Sequence, residues 1–234
     1  MQKYFKAVTF SYDDGVTQDQ RLIDLFNRYG VKGTFNINSG LLGNPGSLIR
    51  EDVTVAHVKP RPEEIRSIYA GHEIAAHTLT HPFLPDCDDA EIIRQVEEDR
   101  KALSELAGYE VVGMAYPGGG VNFNAHVADV IRNNTGIRYC RTTVSSFDFE
   151  PQTDLHQFKP SVYHHVEWDQ MFEMADRFVS MKADRPQIFY IWGHAYEFDI
   201  HHEWERFEEL LRILSGKNDI FYGTNREVLL ENWQ

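Results

Sequence analysis

Short apolar runs alternate about seven times with stretches of helical length along this 234-residue chain, and no other feature constrains its fold as strongly. Residues 7–12, 33–37, 73–76, 111–116, 137–144, 187–192 and 220–222 read as strands. Residues 19–29, 62–70, 88–107, 124–134, 169–181, 203–214 and 225–230 read as helices, with Gly30, Gly71 and Gly108 as stops, Pro62 in a first turn, and Asp88 or Asp89 as a cap. Residues 145–166 read as irregular and rich in His and Phe, a long functional loop. Strand and helix in alternation argue for a parallel sheet with helical crossovers. Without a dinucleotide-binding glycine fingerprint, that many units point to a closed or nearly closed barrel in a single domain over 1–234.

Polar and glycine-rich clusters follow the strands. Asp13-Asp14-Gly15 follows the first, His77 to His81 the third, Pro117 to Gly120 the fourth, and Gly193-His194 the strand at 187–192. Barrel active sites gather at the carboxyl ends of strands, so these four clusters are expected to meet on one face.

His77-Thr78-Leu79-Thr80-His81 places two histidines four apart, on one side of a helical turn, near enough to share one ion. Among 11 histidines such a pair also arises without a metal. Asp13 and Asp14 suit an ordinary turn, since Asp and Gly are turn residues. They equally suit a split role, in which one carboxylate completes a two-histidine, one-carboxylate metal site and the other activates water. Tyr116-Pro117-Gly118-Gly119-Gly120 is either a strand-to-helix turn or a place where a backbone N–H meets an oxyanion. His194, at the mouth of an apolar strand, is either structural or a general acid working near neutral pH.

Taken in order, Asp-Asp-Gly, His-Thr-x-x-His, Tyr-Pro-Gly and a late apolar-x-x-His resemble the polysaccharide deacetylase family (carbohydrate esterase family 4, the chitooligosaccharide deacetylase homology domain), over residues 8–194. The resemblance implies a distorted (β/α) barrel, here of about seven units, and hydrolysis of N-acetyl or O-acetyl groups on an acetylated sugar or oligosaccharide. It implies Asp14, His77 and His81 as ligands of one divalent ion, zinc by default, with cobalt, nickel or manganese as alternatives. It further implies Asp13 as general base, His194 as general acid, and Gly118, in the turn after Tyr116, as the residue whose N–H helps hold the oxyanion.

The chain departs from the family in two places. Ala115 stands where most members carry an arginine that tethers the base, and Arg141 on the next strand is the candidate substitute. The Asp-Trp motif is altered, with Asp148-Phe149 as its nearest match; Asp148 either pairs with His194 or caps a loop. Glu197 and Asp199 read as a solvated loop, with orienting His194 or meeting a substrate amine as the alternatives. Trp192, Tyr196, Trp168 and Phe147 could stack on sugar rings, with core packing as the alternative. Neither His164-His165 nor His201-His202 reads as a metal site, because adjacent side chains diverge.

Composition narrows the partners. A formal net charge of −13 disfavours nucleic acid and mildly favours neutral or cationic substrates. No apolar run is long enough to span a membrane. The chain as given shows no leader segment, so a cytoplasmic protein is expected unless a leader was trimmed. Cys87 and Cys140 are expected to be two buried thiols. Two other functions stay open: a same-fold hydrolase of a small cyclic imide or ureide, for which the missing arginine leaves room, and a non-catalytic glycan-binding domain. Oligomeric state is not legible.

Overall fold

The computed structural model describes residues 4–233; Met1–Lys3 and Gln234, the ends of the domain expected over 1–234, lie outside them. The strands are β1 (Lys6–Asp13), β2 (Gly33–Ile37), β3 (Ser47–Arg50), β4 (Val53–Ala56), β5 (Glu73–Ala76), β6 (Gly113–Ala115), β7 (Tyr139–Arg141), β8 (Val162–Tyr163), β9 (Gln187–His194) and β10 (Ile220–Tyr222). The helices are α1 (Asp19–Tyr29), α2 (Ile65–Ile68), α3 (Asp89–Ala107), α4 (Ala125–Asn134), α5 (Trp168–Ser180), α6 (Glu197–Ile200), α7 (Trp204–Leu214) and α8 (Asn225–Leu230).

The main sheet is parallel, in the order β7-β6-β5-β2-β1-β9-β8. β1 is buried along its whole length, as a strand covered on both faces must be. Its edge opposite β9 is shared: Lys6 to Val8 pair with β10, and Phe10 to Asp13 pair with β2. Alternation along β1 splits its side chains between two environments. Phe10 and Tyr12 meet Phe26 of α1 and Phe207 of α7, under the helical layer. Thr9, Ser11 and Asp13 point the other way and meet Asn225, Asn36 and Arg141. This face of β1 is therefore polar from Thr9 to Asp13, above a small apolar cluster of Ala7, Phe158, Ile188 and Tyr190, and Asp13 stands at its upper end.

The stretch 145–166, expected to be irregular, closes the sheet. Phe158 bridges to Arg141 of β7, with the Phe158 N–H donating to the Cys140 carbonyl (3.0 Å) and the Thr142 N–H to the Phe158 carbonyl (2.8 Å). A few residues on, β8 pairs with β9. One segment thus joins the two ends of the sheet. With only two residues in β8 and Pro160 just before it, no apolar run announces it.

Other boundaries shift for local reasons. The strands expected at 111–116 and 137–144 shorten to three residues each. The helix expected at 62–70 begins as a 3-10 turn, Pro62–Glu64, before α2. Asp88 caps α3, its side chain accepting from the Glu91 N–H. The antiparallel hairpin β3–β4 and the single turn α6 are elements that the sequence did not announce. Cys140 is buried and Cys87 only half-buried, and both are free. No helix among the described residues is long and apolar enough to cross a membrane.

Candidate active site

A cavity of about 630 Å³ opens at the carboxyl ends of β1, β5 and β9. Asp13, Asp14, His77, His81, Gly118 and His194 all line it, so the four clusters that follow strands do share one face.

Asp14 leaves β1 with φ +80° and is followed by Gly15 at φ +56°, a left-handed turn that lifts the carboxylate into the cavity. His77 and His81 sit on a bend rather than the helical turn expected; Thr78 (φ +67°) and His81 (φ +62°) are both left-handed. The bend is tightly held. Asn38 donates to the carbonyls of His77 and Thr78, Asp99 of α3 accepts from the N–H groups of Ser39 (2.7 Å) and His77 (2.9 Å), and the Gln95 side chain accepts from the Thr80 N–H (2.9 Å). The imidazoles end with ring centroids 4.9 Å apart. Each presents Nε2 to Asp14 Oδ1, at 3.8 Å for His77 and 3.7 Å for His81.

This donor set fits a divalent ion of the zinc kind. One oxygen and two nitrogens lie within 4.8 Å of one another. The His77 Nδ1–H donates to the Ala115 carbonyl (2.9 Å), which fixes the tautomer and leaves Nε2 free to ligate. Burial pushes His77 down to about 4 and lowers His81, so both are neutral near pH 7, as ligands must be. Burial alone would raise Asp14, but a hydrogen bond from His57 (3.1 Å) and the nearby His194, Lys59 and His77 hold it well below the usual carboxylate range.

Asp13 lies beside this cluster, its Oδ2 3.9 Å from His77 Nε2. Arg141 Nη2 donates to both of its oxygens, and Asn36 Nδ2 donates to Oδ1 (2.8 Å). Arg141 is fully buried, with its guanidinium 4.2 Å above the Trp192 ring. In the β6–β7 register Arg141 is the direct partner of Ala115. The cation therefore reaches Asp13 from the strand next to the one where the family pattern places it.

His194 Nδ1 is 2.9 Å from Glu197 Oε1, and the His194 N–H donates to Glu197 Oε2 (3.0 Å). Burial acts to lower His194, but Glu197, with Asp14 and Asp13 behind it, raises it to about 9. Glu197, itself buried, also accepts from the Tyr163 hydroxyl. Gly193 has no side chain because the His164 ring occupies that space. Asp148 takes no part: it is exposed, its Oδ1 caps the Glu150 N–H (3.0 Å), and Phe149 beside it is buried. The partner of His194 is Glu197, for which the sequence allows both this role and a solvated loop. Asp199 is turned away, accepting from Trp204 Nε1 (2.7 Å) and Gln18 Nε2 (3.2 Å).

The Tyr116 side chain is buried away from the cavity, its hydroxyl donating to the His156 carbonyl (2.8 Å). Gly118 (φ +87°) faces the cavity, in a turn held by Asn122, which donates to the carbonyls of Tyr116, Pro117 and Gly118. Of the four aromatics singled out, Trp192 and Tyr196 line the cavity. Trp168 packs under Arg206, and Phe147 lies at a separate surface depression. His57 and Lys59 at Asp14, and Arg50 and Glu51 on the cavity wall, were not legible beforehand; all four belong to the hairpin or to the chain just after it.

The profile of a family described as polysaccharide deacetylase matches residues 2–139, more than half of the chain. The peptidoglycan-N-acetylglucosamine deacetylase PgdA of Listeria monocytogenes is 28% identical over 120 residues, 50% of this chain and 22% of that protein. A chitooligosaccharide deacetylase of Sinorhizobium fredii is 47% identical over 100 residues, 42% of this chain and 39% of that protein. The chain thus spans well under half the length of these relatives. Among solved structures, a family 4 carbohydrate esterase from Streptomyces lividans in complex with acetate superposes with a TM-score of 0.55 at 15% identity, covering 94% of this chain and 92% of that one. That likeness establishes a shared fold.

Proposed function

The chain belongs to the polysaccharide deacetylase family, and from that membership we propose that it is a metal-dependent hydrolase removing N-acetyl or O-acetyl groups from an acetylated sugar or oligosaccharide. The observation that carries the reading is the convergence, in one cavity, of Asp14, His77 and His81 beside an ion-paired Asp13 and a Glu197-held His194.

In this reading Asp14, His77 and His81 hold one divalent ion, zinc by default. Such an ion supplies Lewis acidity toward the acetyl carbonyl and makes a water molecule more acidic. Asp13 takes the proton of the attacking water, and Arg141 and Asn36 keep its oxygens aimed at the cavity. The Gly118 N–H meets the developing oxyanion. His194, with a pKa near 9, is an imidazolium at neutral pH; with Nδ1–H committed to Glu197, Nε2–H is the proton delivered to the leaving amine or alkoxide. Trp192 and Tyr196 shape the cavity wall rather than offering a free ring face to a pyranose: the Trp192 ring is stacked between Tyr163 and the Arg141 guanidinium, and Tyr196 is buried against His57 and His194.

The test is acetate release from chitooligosaccharides and from acetylated xylan by zinc-loaded protein, with succinimide and allantoin alongside. Acetate from a glycan is the expected product. Asp13→Asn should keep its zinc and lose about 10²–10⁴-fold in rate. Turnover of the cyclic imide or ureide alone, or wild-type acetate release by Asp13→Asn, would overturn the assignment.

A further inference from the structure

We propose that the chain carries a second divalent-cation site, formed by Glu51, His165 and His201, which ties the hairpin β3–β4 to the rim of the cavity. It does not depend on the reaction proposed above. Three segments far apart in sequence supply the donors: the hairpin turn, the connection from β8 to α5, and the connection from α6 to α7. His165 Nε2 lies 2.9 Å from Glu51 Oε1, and His201 Nε2 lies 2.6 Å from Glu51 Oε2. The two imidazoles are nearly parallel, 8° apart with centroids separated by 5.8 Å. One nitrogen from each, with one Glu51 oxygen, falls within 4.8 Å of the others, as the donors of Asp14, His77 and His81 also do.

A second observation points to a ligand. The His165 side chain is 8% exposed, and its Nδ1 has no hydrogen-bond partner. The oxygen facing it, Glu203 Oε2 at 3.9 Å, is also buried without a partner. A metal-bound imidazole characteristically turns its other N–H toward a carboxylate. Glu203 stands where that carboxylate belongs, and a small movement of the ring toward an ion and of Glu203 toward Nδ1 satisfies both orphaned atoms. Two imidazoles and one carboxylate suit zinc and its borderline neighbours rather than calcium or magnesium, which take oxygen donors.

The site has a consequence for the cavity. Glu51 and His165 line its wall, and Arg50 beside Glu51 faces the same space. Fixing Glu51 therefore fixes Arg50 and the width of the mouth.

The experiment is zinc uptake at low micromolar concentration, measured by equilibrium dialysis with elemental analysis on wild type, His77→Ala, His201→Ala and the double variant. Circular dichroism confirms that each is folded, and Glu51→Gln serves as a shape-preserving second lesion. Two ions in wild type, one in each single variant and none in the double variant are expected. In His77→Ala, zinc should also slow amide exchange in the hairpin, and His201→Ala added to it should abolish that slowing. No zinc in folded His77→Ala, or wild-type uptake by both His201→Ala and Glu51→Gln, overturns the second site. Uptake kept in His77→Ala and lost in His201→Ala supports it even if wild type holds one ion, in which case it is the Asp14 centre that fails.

Discussion

Glu197 grips His194 at two points, the backbone N–H and Nδ1, and this double hold gives the imidazole its charge as well as its direction. General-acid catalysis needs the protonated form, so activity should fall as pH rises through the pKa of His194 near 9. Glu197 is the largest of the influences that raise it, and Glu197→Gln keeps the shape while removing the charge. The basic limb of the pH–kcat profile should then slide toward the ordinary imidazole value of about 6.5, with the rate at pH 6 least affected. A limb that stays in place in Glu197→Gln would deny Glu197 this role. Arg141 makes a companion prediction. Arg141→Met strands the buried Asp13 carboxylate and should cost about 3–5 kcal/mol in denaturant unfolding, together with most of the turnover. These two side chains differ in how visible they were. Arg141 could be named because Ala115 left a base without its cation, and the next strand held a spare one. Glu197 stays open between a solvated loop and a partner of His194, because the residues that pack on it, Tyr163 and His164, lie on and just after a two-residue strand with no periodic signal.

The pair His77 and His81 shows how an element can be misjudged while its residues are well placed. Spacing by four suits one helical face, yet these imidazoles meet across a bend with two left-handed non-glycine residues. Such a conformation persists only where its surroundings over-determine it. Here α3 and the segment after β2 do so, through Asp99, Gln95 and Asn38. Asn38→Leu keeps the approximate volume but leaves the His77 and Thr78 carbonyls without their donor. It should cost about 1–3 kcal/mol in stability and weaken zinc binding about 10–100-fold, as loss of supporting partners does. Zinc affinity equal to wild type, measured by competition with a chromophoric chelator, would show that the bend holds without it. The hairpin β3–β4 illustrates the opposite failure. Its two-residue turn is Glu51-Asp52, both left-handed, where Asn-Gly would have announced it. Four residues on or just after that hairpin reach Asp14 or the cavity wall, so the missed element is also where the reading of the site was thinnest.

At the scale of the molecule, the alternation of strands and helices made a parallel barrel legible, and helix stops such as Gly30 and Gly108 placed its boundaries well. Strand order was not legible, because β10 returns to the edge of β1 beside β2 and the closing segment carries no run of apolar residues. That closure matters energetically. It holds Asp13, from the central strand, against Arg141, from one end of the sheet, and brings Tyr163, from the other end, to Glu197 below His194. Ligands drawn from several strands and connections exist as a group only in the folded chain, so an ion that binds them adds its free energy to folding. At a free zinc concentration of about 100 Kd, each filled site should add about 2.7 kcal/mol. For a chain of this length that is an increase in Tm of about 5–10 °C per site, reversed by a chelator. His77→Ala and His201→Ala should each remove one increment, and the double variant should melt at one temperature with or without zinc. A wild-type Tm indifferent to zinc and chelator across that range would mean that neither cluster holds an ion in the folded protein, and the hydrolytic assignment would lose its metal.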